Sequence, residues 1–189
     1  MRILVIGGTG FIGPWVVQRL AALGHELVLF HRGQTPAGPR AGVRQILGDR
    51  RRLEAWAGEL QQFAPEVVID MIPAVEQDAR SVMAAFRGVA GRVVALSSQD
   101  VYRAYGRMAD TEPGPVEPVP LAEDAPLREK RYPYRGEVPR EADDPGRYLD
   151  DYDKIGVEQV VLGNPELPGT VLRLPMVYGP RDSQHRLFV

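Results

Sequence analysis

Directly after the first apolar run stand Gly7, Gly8, Thr9, Gly10, Phe11, Ile12 and Gly13, with the composition and spacing of a phosphate-binding turn. Read from Gly8 the spacing is GxGxxG, and read from Gly7 it is GxxGxxG. Glycines allow a tight turn and let backbone amides close on a pyrophosphate, while the helix they open presents its positive N-terminal end. A strand before the turn and a helix after it make this the dinucleotide fingerprint, and assign Gly7, Gly10, Phe11, Ile12 and Gly13 to cofactor binding. At the end of the second apolar run, where an acid would accept from the ribose hydroxyls of NAD, stand His31 and Arg32. Arginine accommodates a 2′-phosphate and no acid is there to repel one, so NADP is the expected cofactor, with NAD as the alternative.

Two further side chains could do chemistry. Ser98 follows the apolar run Arg92 to Leu96, on the edge where open parallel sheets bind ligands. A serine there can also close its strand through a local backbone hydrogen bond. Lys154 lies within a helical pattern from about Leu149 to Leu162, where a lone lysine reads as a solvated charge. Asp150, Asp151 and Asp153 crowd the start of that pattern, as the helix dipole favours. His25, His31 and His185 have no ligand-like spacing, and no metal is expected.

The elements that must position these residues alternate along the chain. Strands are read at Arg2–Ile6, Glu26–Phe30, Val43–Leu47, Val67–Met71, Arg92–Leu96 and Thr170–Leu174. Helices are read at Phe11–Leu23, Arg50–Phe63, Glu76–Phe86 and Leu149–Leu162, the first with Pro14 in its opening turn and Gly24 at its close. This rhythm predicts an α/β fold, a Rossmann-type doubly wound parallel sheet with helices on both faces. Residues 103–147 break it: eight prolines and four glycines leave little room for helix or strand. Long stretches of that kind inside a compact domain are usually functional or mobile, and a functional excursion is expected here.

At 189 residues the chain has the length of one domain, so residues 1–189 are read as a single dinucleotide-binding unit. A net charge of −2 carries no electrostatic footprint for a phosphate backbone, and nucleic acid is not an expected partner. The short basic runs at Arg50–Arg52 and at 128–135 read as solvated faces. No apolar stretch approaches the roughly 20 residues of a membrane helix. The absence of cysteine excludes disulfides, thiolate zinc sites and a cysteine nucleophile, and fits a reducing compartment, so the cytoplasm is expected.

Several segments in order, ILVIGGTGFIG at the start, Gly48 and Asp49, LSSQDVY at 96–102, EDAPL at 123–127 and RLPMVYGP at 173–180, resemble the extended short-chain dehydrogenase/reductase superfamily, and within it the NAD-dependent epimerase/dehydratase family. The resemblance implies hydride transfer at a nicotinamide dinucleotide, acting on a carbonyl or alcohol such as a nucleotide-sugar. It places Asp49 near the adenine, Ser98 as the hydroxyl that polarises the substrate, Lys154 on the nicotinamide ribose, and Pro175 to Val177 beside the nicotinamide. It also implies a homodimer, and a substrate lobe following YGP. Most of that lobe is expected to be absent from this chain, and a partner chain could complete the pocket.

The family carries a catalytic tyrosine four residues before the lysine, and here that position is Asp150. With an ordinary pKa near ~4, a carboxylate is ionised at neutral pH and cannot donate the proton a phenol would. Tyr152 and Tyr148, two and six residues before Lys154, are the candidate catalytic phenols nearest to it, although they would point about 160° and 120° away from it on an ideal helix. The sequence admits three arrangements: a helix beginning after Asp151 with Tyr148 folding back over the site, a phenol supplied by Tyr132 or Tyr134, or loss of this chemistry. The last corresponds to a noncatalytic NADP-binding module, regulatory or RNA-associated, as in atypical members of the superfamily.

Overall fold

The computed structural model describes residues 1–35, 43–180 and 182; His185 lies outside them. Six strands form one all-parallel sheet: β1 (Arg2–Ile6), β2 (Glu26–His31), β3 (Arg44–Leu47), β4 (Val67–Asp70), β5 (Arg92–Ser98) and β6 (Gly169–Leu174). Their order is β3-β2-β1-β4-β5-β6, the doubly wound Rossmann order that the alternating pattern predicts. Helices α1 (Gly13–Ala22), α2 (Leu53–Gln62), α3 (Glu76–Phe86) and α5 (Lys154–Leu162) cover it, and a short α4 (Arg103–Met108) follows β5.

The period of two along each strand divides the core between the faces. Leu4, Ile6, Val28, Phe30 and Val68 pack with Leu53 and Leu60 of α2, Val82 and Phe86 of α3, and Val157 and Val161 of α5. The alternate residues Ile3, Val5, Leu27 and Leu29 meet Val17 of α1 on the other face. Every residue from Ile3 to Ile6 is therefore buried, which is why β1 reads as a continuous apolar run. Among the described residues no helix is long and apolar enough to cross a membrane.

Three expected helix starts move, each for a local reason. α1 begins at Gly13, leaving Gly10 to Ile12 in the turn. The expected helix from Arg50 opens as a 3-10 turn, Arg50–Arg52, capped by the Asp49 carboxylate on the Arg51 amide, and α2 starts at Leu53. The helix expected from Leu149 starts at Lys154, because Asp153 is extended (φ −157°, ψ 94°) and its amide donates to the Ala74 carbonyl at 3.0 Å. The excursion, expected without regular structure, contains α4 in its proline-free first residues and an antiparallel bridge between Tyr102 and Leu127.

Candidate active site

The strand order reverses between β1 and β4, and a crevice outside the carboxyl ends of strands at such a point is where these sheets bind ligands. The turn after β1 passes through Gly7 and Gly8 with φ of +90° and +73°, a region side chains disfavour. A Cβ on Gly13 would fall 2.3 Å from the Gly8 backbone, so helix and turn touch there. At Gly10 the opposite holds, since a Cβ would meet nothing within 4 Å. The amides of Gly10, Phe11 and Ile12 donate to no group among the described residues, and the first turn of α1 carries no acid. Unclaimed amides at a helix N-terminus, with open space before them, fit the pyrophosphate of a dinucleotide.

At the end expected to hold the adenine, His31 closes β2 as a buried wall. The Gly33 amide lies 3.1 Å from its Nδ1 and its Nε2 pairs with Gln45 Oε1 at 2.8 Å, so both ring nitrogens are engaged within the protein. Arg32 is exposed and has no ion pair among the described residues. Asp49 is half-buried and capped onto the Arg51 amide. Beneath them Asp70, at the end of β4, receives Arg50 at 2.8 and 3.0 Å, and burial pushes its carboxyl up against the pull of that guanidinium. Arg50 also meets Asp78 of α3, so one cation ties the ends of β3, β4 and α3 together.

The end expected to be catalytic is built on β5 and the entry to α5. Ser98 is half-buried, and its oxygen accepts from the Asp100 amide at 3.3 Å, which leaves its hydroxyl proton free to donate. Lys154 is 7% exposed; its Nζ donates to the Pro73 carbonyl at 2.5 Å and to Leu96 at 2.9 Å, with a third proton left over. Burial lowers its pKa to about 8, with Asp70 and Asp100 opposing. Below it Glu158 of α5 takes Ser97 of β5 at 2.6 Å and Arg173 of β6 at 2.7 Å, fixing the helix against both strands.

Tyr152 is outside the helix, so the projection expected on an ideal helix does not apply to it. Its hydroxyl faces Ser98 and Asp100, and its ring lies 5.7 Å from Lys154 Nζ. Burial, then the Asp100 carboxylate, push this phenol well above its ordinary pKa, with Ser98 opposing. Tyr134, from the excursion, donates to Asp100 Oδ2 at 2.9 Å and packs on Tyr152 with ring centroids 5.2 Å apart. Tyr148 does not fold back: it is 47% exposed on the 3-10 turn Arg147–Asp150, outside the hydrogen bonds around Ser98 and Lys154. Tyr132 stacks under Arg135 instead. Pro175 to Val177 follow Leu174, the β6 partner of Ser98, and so leave the sheet beside the serine.

The structure thus gathers Ser98, Tyr152 and Lys154, and adds two residues that sequence reasoning did not single out. Asp100 is buried beside the phenols, and Arg128, also buried, donates to its carbonyl at 2.8 Å. An acid immediately before the apolar Val101 was the available signal for the first. For Arg128 there was none. The acids at 150, 151 and 153 also differ from a simple helix-dipole cluster, because Arg140, Arg135 and Arg131 respectively bind them.

The profile of the NAD dependent epimerase/dehydratase family matches residues 3–188. A 3-diazoavenalumate denitrifying reductase from Streptomyces sp is 30% identical over 194 residues, covering 98% of this chain and 59% of the reductase. A 2′-dehydrokanamycin reductase from Streptomyces kanamyceticus is 37% identical over 98 residues, 52% of this chain and 28% of its own. Two solved structures share the fold. The UDP-glucose 4-epimerase of Thermotoga maritima, with UDP-glucose, has a TM-score of 0.69 at 18% identity and covers 98% of this chain and 59% of its own. WbmG of Bordetella bronchiseptica, with NAD, has a TM-score of 0.68 at 20% identity over 97% and 56%. The chain spans less than two thirds of the length of each of these proteins. Its matched span and its doubly wound sheet make it a member of the NAD dependent epimerase/dehydratase family.

Proposed function

We propose that this chain is the dinucleotide-binding domain of an NADP-dependent oxidoreductase that reduces a carbonyl substrate. The observation that carries this reading is the meeting of Ser98, Tyr152 and Lys154 on the carboxyl edge, with the open turn at Gly7, Gly10, Phe11, Ile12 and Gly13 on the same edge of the sheet. Arg32 supports NADP over NAD, since it is exposed and unpaired among the described residues. Asp49 would border the adenine, and Pro175 and Val177 the nicotinamide. When bound, the reduced nicotinamide supplies a hydride to the carbonyl carbon.

This chain's residues do the rest. Ser98 donates a hydrogen bond to the carbonyl oxygen and so favours the charge that develops there. Tyr152 then gives its phenolic proton to that oxygen as the C=O double bond becomes C–O–H, and regains a proton from solvent. Burial and Asp100 keep this phenol un-ionised, so it carries the proton that the step consumes. Lys154 holds a ribose hydroxyl with its remaining proton while two carbonyls fix its position. The reductases among the relatives agree with this direction, and the UDP-glucose held by the Thermotoga enzyme makes a nucleotide-linked keto sugar the first substrate to try. We further propose a soluble cytoplasmic homodimer in which residues 1–189 form one domain and substrate selection lies outside it.

The test is stopped-flow oxidation of NADPH by a panel of aldehydes and nucleotide-linked keto sugars, using Tyr152→Phe and Ser98→Ala. Loss of the acid should slow turnover by roughly 10²–10⁴-fold without weakening NADPH binding. Tight NADPH binding with no oxidation by any member of the panel would instead support a noncatalytic binding module.

A further inference from the structure

A tyrosine two residues before its lysine reaches the serine only if the chain between them is not helical, and residue 150 is the fixed point. Asp150 is 2% exposed. Its carboxylate accepts from the Arg140 amide at 2.9 Å, from the Arg140 guanidinium, and from Arg147 Nη1 at 2.9 Å. Its carbonyl accepts from Arg135 Nε at 2.7 Å. In a continuous α-helix that carbonyl would take the Lys154 amide, and the Leu149 carbonyl would take the Asp153 amide. Here the first is held by Arg135 and the Asp153 amide goes to Ala74. The amides of Asp151 and Tyr152 reach back only three residues, to Tyr148 and Leu149, at 3.3 Å each. Nothing in the composition of 149–153 forbids a further helical turn, since acids are favoured at a helix start.

We propose that Asp150, tied to Arg135, Arg140 and Arg147 of the excursion, is a positioning residue that stops α5 from extending backwards and thereby delivers Tyr152 to Ser98. This rests on the reading of Tyr152 as the proton donor. With the clamp released, α5 gains a turn and Tyr152 moves to the far side of the helix from Lys154, about 160° round. The excursion then has a defined role, since it supplies the three arginines that make a two-residue spacing work in place of a four-residue one.

The experiment measures NADPH oxidation with the same carbonyl panel, and NADPH affinity, for Asp150→Asn, Tyr152→Phe and the double variant. Asp150→Asn should lower turnover at least about tenfold while leaving NADPH affinity nearly unchanged. The double variant should be no slower than Tyr152→Phe alone, because groups that act through one another are not additive. Asp150→Glu, which keeps the charge, should recover part of the rate. If Asp150→Asn does not fold, Arg147→Gln loosens the clamp from a side chain that is 42% exposed, and should give a smaller loss that vanishes in the Tyr152→Phe background. A second readout needs neither cofactor nor turnover: ultraviolet titration of the phenols. Wild type keeps Tyr152, faced by Asp100, Tyr134, Ser98 and Lys154, un-ionised where ordinary tyrosines titrate, and Asp150→Asn should return one phenol to that range. Normal turnover in Asp150→Asn beside a slow Tyr152→Phe, or additive losses in the double variant, would overturn the clamp and leave the donor intact. Normal turnover in Tyr152→Phe would overturn the donor, and the titration would still decide the clamp.

Discussion

The glycine turn after β1 and the segment before α5 face the same edge of the sheet, yet they are held by different forces. The turn is fixed by backbone: positive φ at Gly7 and Gly8, and contact between Gly13 and Gly8 with no side chain between them. The 150–154 segment is fixed by charge, with buried carboxylates at 150 and 153 gripped by arginines of the excursion. Backbone contact tolerates no added atom but is indifferent to pH. Ion pairs tolerate small changes of shape but respond to protonation and to the loss of one partner. The site therefore has a rigid half, proposed to bind, and a titratable half, proposed to act, and each can be broken without the other.

The largest expected effect comes from a single methyl group. Gly13→Ala puts a Cβ at 2.3 Å from the Gly8 backbone, which has no flexible end to yield. Overpacking of this kind costs roughly 1–3 kcal/mol or more, and it must also displace the pyrophosphate turn. Thermal unfolding should fall and NADPH binding should vanish. Gly10→Ala is the control, since its Cβ meets nothing within 4 Å. It should leave the unfolding temperature unchanged and weaken NADPH only, through the space the ligand needs. Equal effects of the two variants on stability would show that the turn is not the rigid half.

The titratable half is probed through Lys154, whose pKa burial lowers from 10.5 to about 8. Below pH 8 the folded protein carries a buried cation. Between about pH 8 and 10.5 it sheds that proton while the unfolded chain keeps it, so this group's contribution to stability improves as pH rises. Relative to Lys154→Met, wild type should gain about 3 kcal/mol across that window in denaturant unfolding, because a tenfold difference in proton affinity between folded and unfolded chain is worth roughly 1.4 kcal/mol. A flat difference would mean that Lys154 is solvated and ordinary.

How legible each half is in the sequence follows from the same division. β1, the glycine turn and the Arg2–Ile6 boundary are local, since apolar runs and glycine spacing act within a few residues. The strand order follows too, because alternating β and α elements leave few topologies for a parallel sheet. The start of α5 is hidden because periodicity and helix-favourable acids continue back to Leu149, while the decision is taken by Ala74, Arg135 and Arg140, far away in sequence or in proline-rich chain. Asp150 in place of a tyrosine looks like lost chemistry for the same reason. Its partners Arg135 and Arg140 lie ten or more residues off in a stretch with no pattern to read, so neither the clamp nor the approach of Tyr152 to Ser98 can be inferred from spacing.

The smallest effect concerns cofactor choice, and it sharpens what the rigid half contributes. His31 and Arg32 are adjacent, and either could face a 2′-phosphate. The structure separates them. Both ring nitrogens of His31 are engaged inside the protein, Nδ1 with the Gly33 amide and Nε2 with Gln45. On the proposed reading the ring is therefore not free to reach a phosphate and shapes the pocket for NADP and NAD alike. On the same proposed reading, Arg32, exposed and unpaired among the described residues, carries the discrimination. Arg32→Ala should lower the ratio of NADPH to NADH affinity about tenfold, the value of one charge-assisted hydrogen bond in a partly solvated place. His31→Ala should weaken both cofactors by a similar factor and leave the ratio where it was. If the ratio moves with His31 and not with Arg32, the phosphate is held by the wall of β2, and the preference for NADP belongs to the buried part of the site and not to its rim.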